Sequence, residues 1–303
     1  MATARIVDDL CLVDIDAITI PDAWFQCIYQ ILHYGRKYTI DRGSFAGQQR
    51  LEFDYITASI SKPGFGADSD INNMLPRLRE GISIPNPVEE GYLNDYLPYL
   101  MTGELKPGES YTYGQRLNKC PIPFEWIVNY DSGKHAYCSE DFTKVLTQDR
   151  KLYENNKIIH KEKNKETYKA NAFFNQIEFL IYTYKRYGFK NNQMVLQIAQ
   201  PSDMFLQDPP CLRLIDTRIL NNKLHFFVEF RSWDLWAGFP ANLAAIEILK
   251  QYIAGELNVE TGVTIARSKG LHIYNYTWEL AEIVANKTMS EAQESIMDLK
   301  NAN

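Results

Sequence analysis

The chain has 303 residues, of which 45% are apolar and 23% charged, and a formal net charge of −6, a profile that permits a sizeable core in a globular protein. The acidic balance argues against a coat for DNA or RNA, because phosphate polymers are bound through a surplus of Lys and Arg, although a few local arginines would still hold one small anion. Acidic pairs interrupt the apolar residues of the first twenty positions, so neither a secretory leader nor a membrane span is expected, and the chain is placed in the cytoplasm.

In chain order, residues 22–38 open on Asp22 and carry apolar residues at helical spacing, which predicts an amphipathic helix. Residues 41–60 pass from a polar, Gly-containing loop into an alternating strand, and residues 62–91, rich in Gly, Pro, Asn and charge, predict a long surface excursion. The Lys-rich run 149–169 predicts a solvated helix or loop. A helix from Gln176, an apolar stretch at 194–200 and a Pro-Pro turn lead to two strands, 211–220 and 223–232, joined by a tight turn at Asn221-Asn222. A helix over 242–257 and a strand over 263–276 follow. No segment repeats and no long Pro/Gly/Ser stretch separates two cores, so residues 1–303 are read as a single domain of mixed α and β structure.

Five cysteines (Cys11, Cys27, Cys120, Cys138 and Cys211) show no CxxC pair and no paired Cys/His spacing, which speaks against structural zinc or a disulfide framework. Their ordinary role is that of a buried small hydrophobe, and only Cys211 has neighbours that suggest otherwise. Downstream of it, residues 231–242 crowd polar and special residues between an apolar strand and an apolar helix. Arg231 and Ser232 at a strand end suit a phosphate dianion, the planar guanidinium offering paired donors and the hydroxyl another. Asp234 and Asn242 flank the turn Gly238-Phe239-Pro240; an amide donates and accepts at once, so Asn242 can read the edge of a uracil ring. The competing reading is a surface turn with Asn242 as helix cap.

The spacing R-S-x-D-x-x-x-G-x-P-x-N resembles the signature that follows the nucleophile in thymidylate synthases. Asp208-Pro209-Pro210-Cys211 resembles that family's Pro-Cys element, and Gly270-Leu271-His272-Ile273-Tyr274 its His-x-Tyr element. Tyr113-Gly114 resembles the Tyr-Gly active-site segment, and Asp41-Arg42-Gly43 the mobile arginine loop that closes over phosphate. The resemblance is continuous over the C-terminal half and patchy before it, and is nearer to the shorter, archaeal-type members. Pyrimidine nucleotide hydroxymethylases are the sister group.

The resemblance implies an α+β sandwich, a mixed β-sheet flanked by helices, and a homodimer formed by packing sheets face to face. It implies a methyltransferase that acts on a pyrimidine nucleoside monophosphate, converting dUMP to dTMP, with 5,10-methylenetetrahydrofolate or a related methylenetetrahydropterin as co-substrate and with no metal, membrane or DNA. Cys211 would add to carbon 6 of the pyrimidine, with Arg231 lowering the thiol pKa from its usual ~8.5. Asn242 would serve the 4-keto oxygen, and Tyr113 would help remove the carbon 5 proton. Arg42, Ser232, Gly238, His272 and Tyr274 would hold the nucleotide, the last two at a sugar hydroxyl. Asp234 would meet the pterin, for which Trp233 and Trp236 are either a wall or apolar packing. Arg116 reads as a surface charge.

Four departures stand out. Leu212 occupies the place where the family has His, and Asn192-Gln193 the place of the arginine pair that the second subunit lends to phosphate. The segment before Tyr113 is shortened, leaving Glu89, Glu90 and Asp95 as acidic candidates by proximity, and the C-terminal residues 290–303 lack an apolar tail. These departures keep two other readings open: a 5-hydroxymethylase of dUMP, dCMP or CMP, and a non-catalytic nucleotide- or RNA-binding module.

Overall fold

The computed structural model describes residues 2–43, 45–79, 81, 84–121, 157–162, 165–170 and 173–289. The chain divides into two compact units, one of Met1–Pro98 with Gln197–Asn303 and one of Tyr99–Leu196.

The first unit begins with β1 (Thr3–Val7) and β2 (Leu10–Ala17), an antiparallel hairpin turned by the left-handed Asp8 and Asp9. Helix α1 (Ile20–Tyr34) starts where Thr19 accepts from the Asp22 amide while the Asp22 carboxylate accepts from the Ile18 amide. The helix ends at Tyr34, short of the expected 38, where Gly35 turns to an extended backbone (φ −71°, ψ 139°), and a Cβ there would lie 2.5 Å from the Ile31 carbonyl. Arg36–Thr39 is instead β3, paired with β4 (Gln49–Glu52), and β5 is Tyr55–Ile60. The excursion over 62–91 is pinned to the core: its one described helical piece is a 3-10 turn, Ile71–Met74, and Met74, Leu75 and Val88 are buried.

Helix α2 (Tyr92–Met101) runs across the boundary between the units. The second unit contains α3 (Tyr113–Asn118), β6 (Cys120–Pro121) paired with β9 (Phe173–Phe174), a hairpin of β7 (Lys157–Glu162) and β8 (Lys165–Ala170), and α4 (Gln176–Tyr187). The described part of the Lys-rich run is therefore strand, and the rest of it lies outside the described residues. Ile158, Ile159, Thr167 and Tyr168 carry the β preference that the charge count hides. The short β10 (Val195–Gln197) ends as the chain re-enters the first unit.

There β11 (Leu212–Leu220) and β12 (Lys223–Phe230) form the expected hairpin, with Asn221 and Asn222 at φ of 50° and 58°, the left-handed pair that a two-residue turn requires. Next come β13 (Trp233–Asp234), α5 (Gly238–Leu257), β14 (Glu260–Ser268), β15 (Leu271–Tyr274) and α6 (Trp278–Ala285). The single strand expected over 263–276 is thus two, separated at Lys269-Gly270, where the chain leaves one sheet for another.

Six strands of the main sheet lie wholly in the first unit, in the order β1-β2-β5-β14-β12-β11. The sheet is mixed, with β2/β5 and β14/β12 parallel and the other pairs antiparallel, and helices pack on it in an α+β arrangement. Along β12, Leu224, Phe226, Val228 and Phe230 are buried while His225, Phe227 and Glu229 are half-buried, the period-2 pattern of a sheet with one covered face. On α5, Lys250 and Glu247 are fully buried and 2.7 Å apart, and the lysine also donates to the Gly262 carbonyl and the Thr264 hydroxyl at 2.8 Å each. A second sheet has the order β13-β15-β4-β3.

Candidate active site

Register in the small sheet sets Asp234 beside His272, His272 beside Glu52 and Tyr274 beside Arg50. Neighbours in register point to one face and residues two apart share it, so one face carries Asp234, His272, Tyr274, Glu52 and Arg50. The buried Leu51, Leu271 and Ile273 fill the other.

Cys211 immediately precedes β11, and Arg231 immediately follows β12, the partner strand of the hairpin. The Arg231 amide donates to the Cys211 carbonyl at 2.8 Å. The arginine side chain folds back on the residues before the cysteine: Nε lies 3.2 Å from the carbonyls of both Pro209 and Pro210, and the guanidinium pairs with Asp208 at 3.3 Å. Arg213 donates to the Pro210 carbonyl as well, at 3.1 Å. The expected lowering of the thiol pKa is not found. Burial pushes the Cys211 thiol above its ordinary pKa; Arg231 and Arg213 pull the other way, but Asp208 adds to the rise. An arginine tied to a carboxylate is a weaker source of positive field than a free one.

Asp234 acts as the acceptor at the start of α5. Its Oδ2 takes the amides of Ala237 and Gly238 at 3.0 and 2.9 Å, and its Oδ1 that of Trp236 at 3.3 Å. A Cβ at Gly238 would meet the Asp234 Cβ at 3.3 Å, so glycine permits this close cap. Asn242 sits in the second turn of α5 and is therefore not the cap. Its Oδ1 accepts from the indole Nε1 of Trp233 at 3.0 Å, and its Nδ2 donates to the hydroxyl of Tyr96 at 2.9 Å. Trp233 is only 3% exposed, stacked on Phe230 at 3.7 Å and tilted against Phe239 at 4.7 Å, so core side chains surround it. Trp236 is buried too, edge-on to Trp24 of α1 at 5.4 Å, and Trp24 donates to the carbonyls of Leu235 and Trp236 at 3.0 Å. Core packing holds both tryptophans in place.

His272 is 3% exposed, with Nδ1 2.8 Å from the Gly270 carbonyl. A carbonyl only accepts, so Nδ1 carries the hydrogen and Nε2 presents a lone pair; Nε2 is buried and has no partner among the described residues. Burial pushes the imidazole pKa down to about 4, helped by Arg50 and Arg231 and opposed by the Gly270 carbonyl and Asp234. Tyr274 meets the imidazole edge-on at 4.7 Å, and its phenol is pushed up to about 12 by burial and by the nearby Asp234, Tyr276 and Cys211. Arg42 is exposed in the β3–β4 loop, with no hydrogen bond or ion pair to the described residues, but Phe45 of that loop lies against Tyr274 at 4.7 Å. Ser232 is half-buried beside Arg231.

Tyr113 belongs to the second unit, at the start of α3, where Thr112 caps the helix by accepting from Gln115 at 2.8 Å. Its ring is stacked with that of Tyr111 at 6.5 Å. Arg116, expected at the surface, is buried and lies 5.8 Å over the Tyr111 ring.

Four residues of this neighbourhood escape the sequence. Tyr96 reaches Asn242, whereas its neighbour Asp95 and the candidates Glu89 and Glu90 are exposed. Glu52 and Arg50 lie on the polar face with Nε and Oε2 2.7 Å apart but misaligned for a hydrogen bond; burial pushes the Glu52 carboxyl up to about 7 against the pull of Arg50. Phe45 ties the arginine loop to Tyr274. The alternation Arg50-Leu51-Glu52 is the one visible signal, since it predicts a strand with one polar and one apolar side.

A thymidylate synthase family model matches residues 125–302. The chain belongs to the thymidylate synthase family. A Methanosarcina mazei protein named "Putative thymidylate synthase" is 25% identical over 268 residues, covering 88% of this chain and 92% of its own length. A Methanothermobacter thermautotrophicus protein of the same name is 23% identical over 276 residues, covering 89% and 97%. The thymidylate synthase of Francisella tularensis is 34% identical over 67 residues, 22% of this chain and 24% of its own. Membership makes this thymidylate synthase family chain a methyltransferase-type enzyme of one-carbon transfer to pyrimidine nucleotides. Among the described residues, no helix is long and apolar enough to cross a membrane and no group of three His, Cys, Asp or Glu is placed to hold a metal ion.

Proposed function

We propose that this enzyme methylates dUMP to dTMP in the cytoplasm, with methylenetetrahydrofolate or a related methylenetetrahydropterin supplying both the carbon and the hydride. The observation that carries this reading is the Asn242 carboxamide, which keeps one N–H and one lone pair for a ligand after its bonds to Tyr96 and Trp233 are counted. A uracil edge, with N3–H to give and O4 to accept, complements that pair. Cys211 bonds to carbon 6, electrons move toward O4, and the Asn242 N–H meets the charge that develops there. Carbon 5 then takes the methylene group and loses its proton, and the bond from that methylene to the pterin nitrogen breaks with its electrons staying on nitrogen; hydride from the reduced pterin, which leaves in the dihydro form, completes the methyl group as the bond to Cys211 breaks.

The buried lone pair of His272 Nε2 suits a sugar hydroxyl, which can donate to it, with Tyr274 at its edge. Arg231 and Ser232 at the end of β12, and Arg42 in its loop, are the groups for phosphate. Asp234, with capacity left on its carboxylate, is the group for the pterin; Trp233 and Trp236 support the site from the core. The half-buried side chains Phe227, Val263 and Ile265 on the uncovered face of the main sheet suit a second copy of the chain, making a homodimer.

Incubating the enzyme with carbon-labelled dUMP and methylenetetrahydrofolate tests the reading. One dihydrofolate should form for each dTMP. Hydroxymethylated nucleotide with tetrahydrofolate returned would make it a hydroxymethylase, and nucleotide bound without any product a binding module; either result overturns the proposal.

A further inference from the structure

The two bonds to the Asn242 carboxamide are not equivalent. Tyr96 offers a hydroxyl, which can accept from Nδ2 or donate to Oδ1, so it tolerates the amide in either orientation. Trp233 offers an indole N–H, which can only donate, so the atom 3.0 Å from it must be Oδ1. The indole cannot turn away, because its ring is buried, stacked on Phe230 and packed against Phe239. Inverting the amide would set Nδ2 against Nε1, donor facing donor, and leave a buried N–H without a partner.

The two pyrimidine bases present mirror-image patterns at positions 3 and 4. Uracil gives at N3 and accepts at O4; cytosine accepts at N3 and gives at N4. A carboxamide free to rotate by half a turn reads both, whereas one fixed in a single orientation reads one. We propose that Trp233 is a specificity-determining positioning residue, which holds Asn242 in the orientation that reads the 4-keto base and excludes the 4-amino base. The inference rests on the proposed placement of Asn242 at the base. Leaving a buried donor unpaired costs enough to make the discrimination supplied by this one bond about ten- to a hundredfold.

The test compares Kd for dUMP and dCMP by calorimetry in the wild-type enzyme and in Trp233→Phe, which keeps a ring on Phe230 but removes the N–H. The wild type should prefer dUMP, and the variant should narrow the preference about tenfold, chiefly by binding dCMP better relative to dUMP. Tyr96→Phe should weaken both nucleotides alike and leave their ratio in place. A purely structural role for Trp233 would lower both affinities together; an unchanged ratio in Trp233→Phe therefore overturns the inference while leaving the proposed function standing. A wild type that binds neither nucleotide, or does not prefer dUMP, overturns the proposed function as well. Should Trp233→Phe fail to fold, the wild-type enzyme with 15N-labelled tryptophan decides. The Trp233 indole proton should exchange slowly when free and with dUMP, and quickly under saturating dCMP. Equal protection in both complexes overturns the inference.

Discussion

The backbone amide of Arg231 donates to the carbonyl of Cys211 at 2.8 Å, so the proposed nucleophile and its arginine are held one hydrogen bond apart across the β11–β12 hairpin. The arginine side chain continues to the carbonyls of Pro209 and Pro210 and to Asp208, strapping down the residues that lead into the cysteine. Burial outweighs the arginine and holds the thiol above its ordinary pKa.

Asp208→Asn removes the charge that opposes ionisation of Cys211 and frees Arg231 from its ion pair. The pH profile of alkylation by iodoacetamide should shift to lower pH in this variant, while the wild-type profile lies above that of an ordinary thiol. Cys211→Ser should abolish turnover and the main alkylation signal yet retain dUMP binding by calorimetry. Turnover that survives the serine would exclude Cys211 as nucleophile.

His272 and Glu52, neighbours across the small sheet, give stability opposite slopes with pH. The imidazole titrates near 4 when folded against an ordinary 6.5, so the unfolded chain binds the extra proton between those values, and stability from this group is lost as pH falls from about 6.5 to 4. The loss reaches roughly 3 kcal/mol in size. Urea denaturation of His272→Asn should lack this acid-side decline, and a decline as steep as in the wild type would contradict a neutral buried imidazole.

The Glu52 carboxyl titrates near 7 when folded against an ordinary 4.5, so the folded chain binds the extra proton in that window and stability falls as pH rises through it. Glu52→Gln should be more stable than the wild type at pH 8, by roughly 1–3 kcal/mol, and no more stable at pH 4.5. Denaturation curves of the two proteins at both pH values check the sign.

Lys250→Met would leave Glu247 in the core without its counter-charge. A loss of about 3–5 kcal/mol is expected, whereas the double change Lys250→Met with Glu247→Leu should recover most of it, since neither charge then needs solvation. A double variant as unstable as the single one would place the cost in packing and not in charge.

Local signals suffice where the chain answers only to itself. The hairpin at Asn221-Asn222 is visible because both positions need a left-handed backbone that Asn tolerates, and α4 because Asn175 caps a periodic run. Boundaries are not legible where a neighbour decides them. Gly35 stops α1 against Ile31 and Leu51, and Lys269-Gly270 divides one apparent strand between two sheets. The arginine loop was legible as a motif, but its contact with Tyr274 through Phe45 was not. The tail at 290–303 lies outside the described residues.

By itself the sequence determined the family and the identities at its motifs, because spacing within one short segment, from Arg231 to Asn242, survives whatever the rest of the chain does. Only the tertiary structure decided how those residues are held. It buried the Cys211 thiol enough to offset two arginines, turned Asp234 into the cap of α5, left His272 Nε2 without a partner among the described residues, and brought Tyr96 from 146 positions away to Asn242. Proton affinity and amide orientation depend on burial and on the donors within about 3 Å, and no spacing along a chain encodes either.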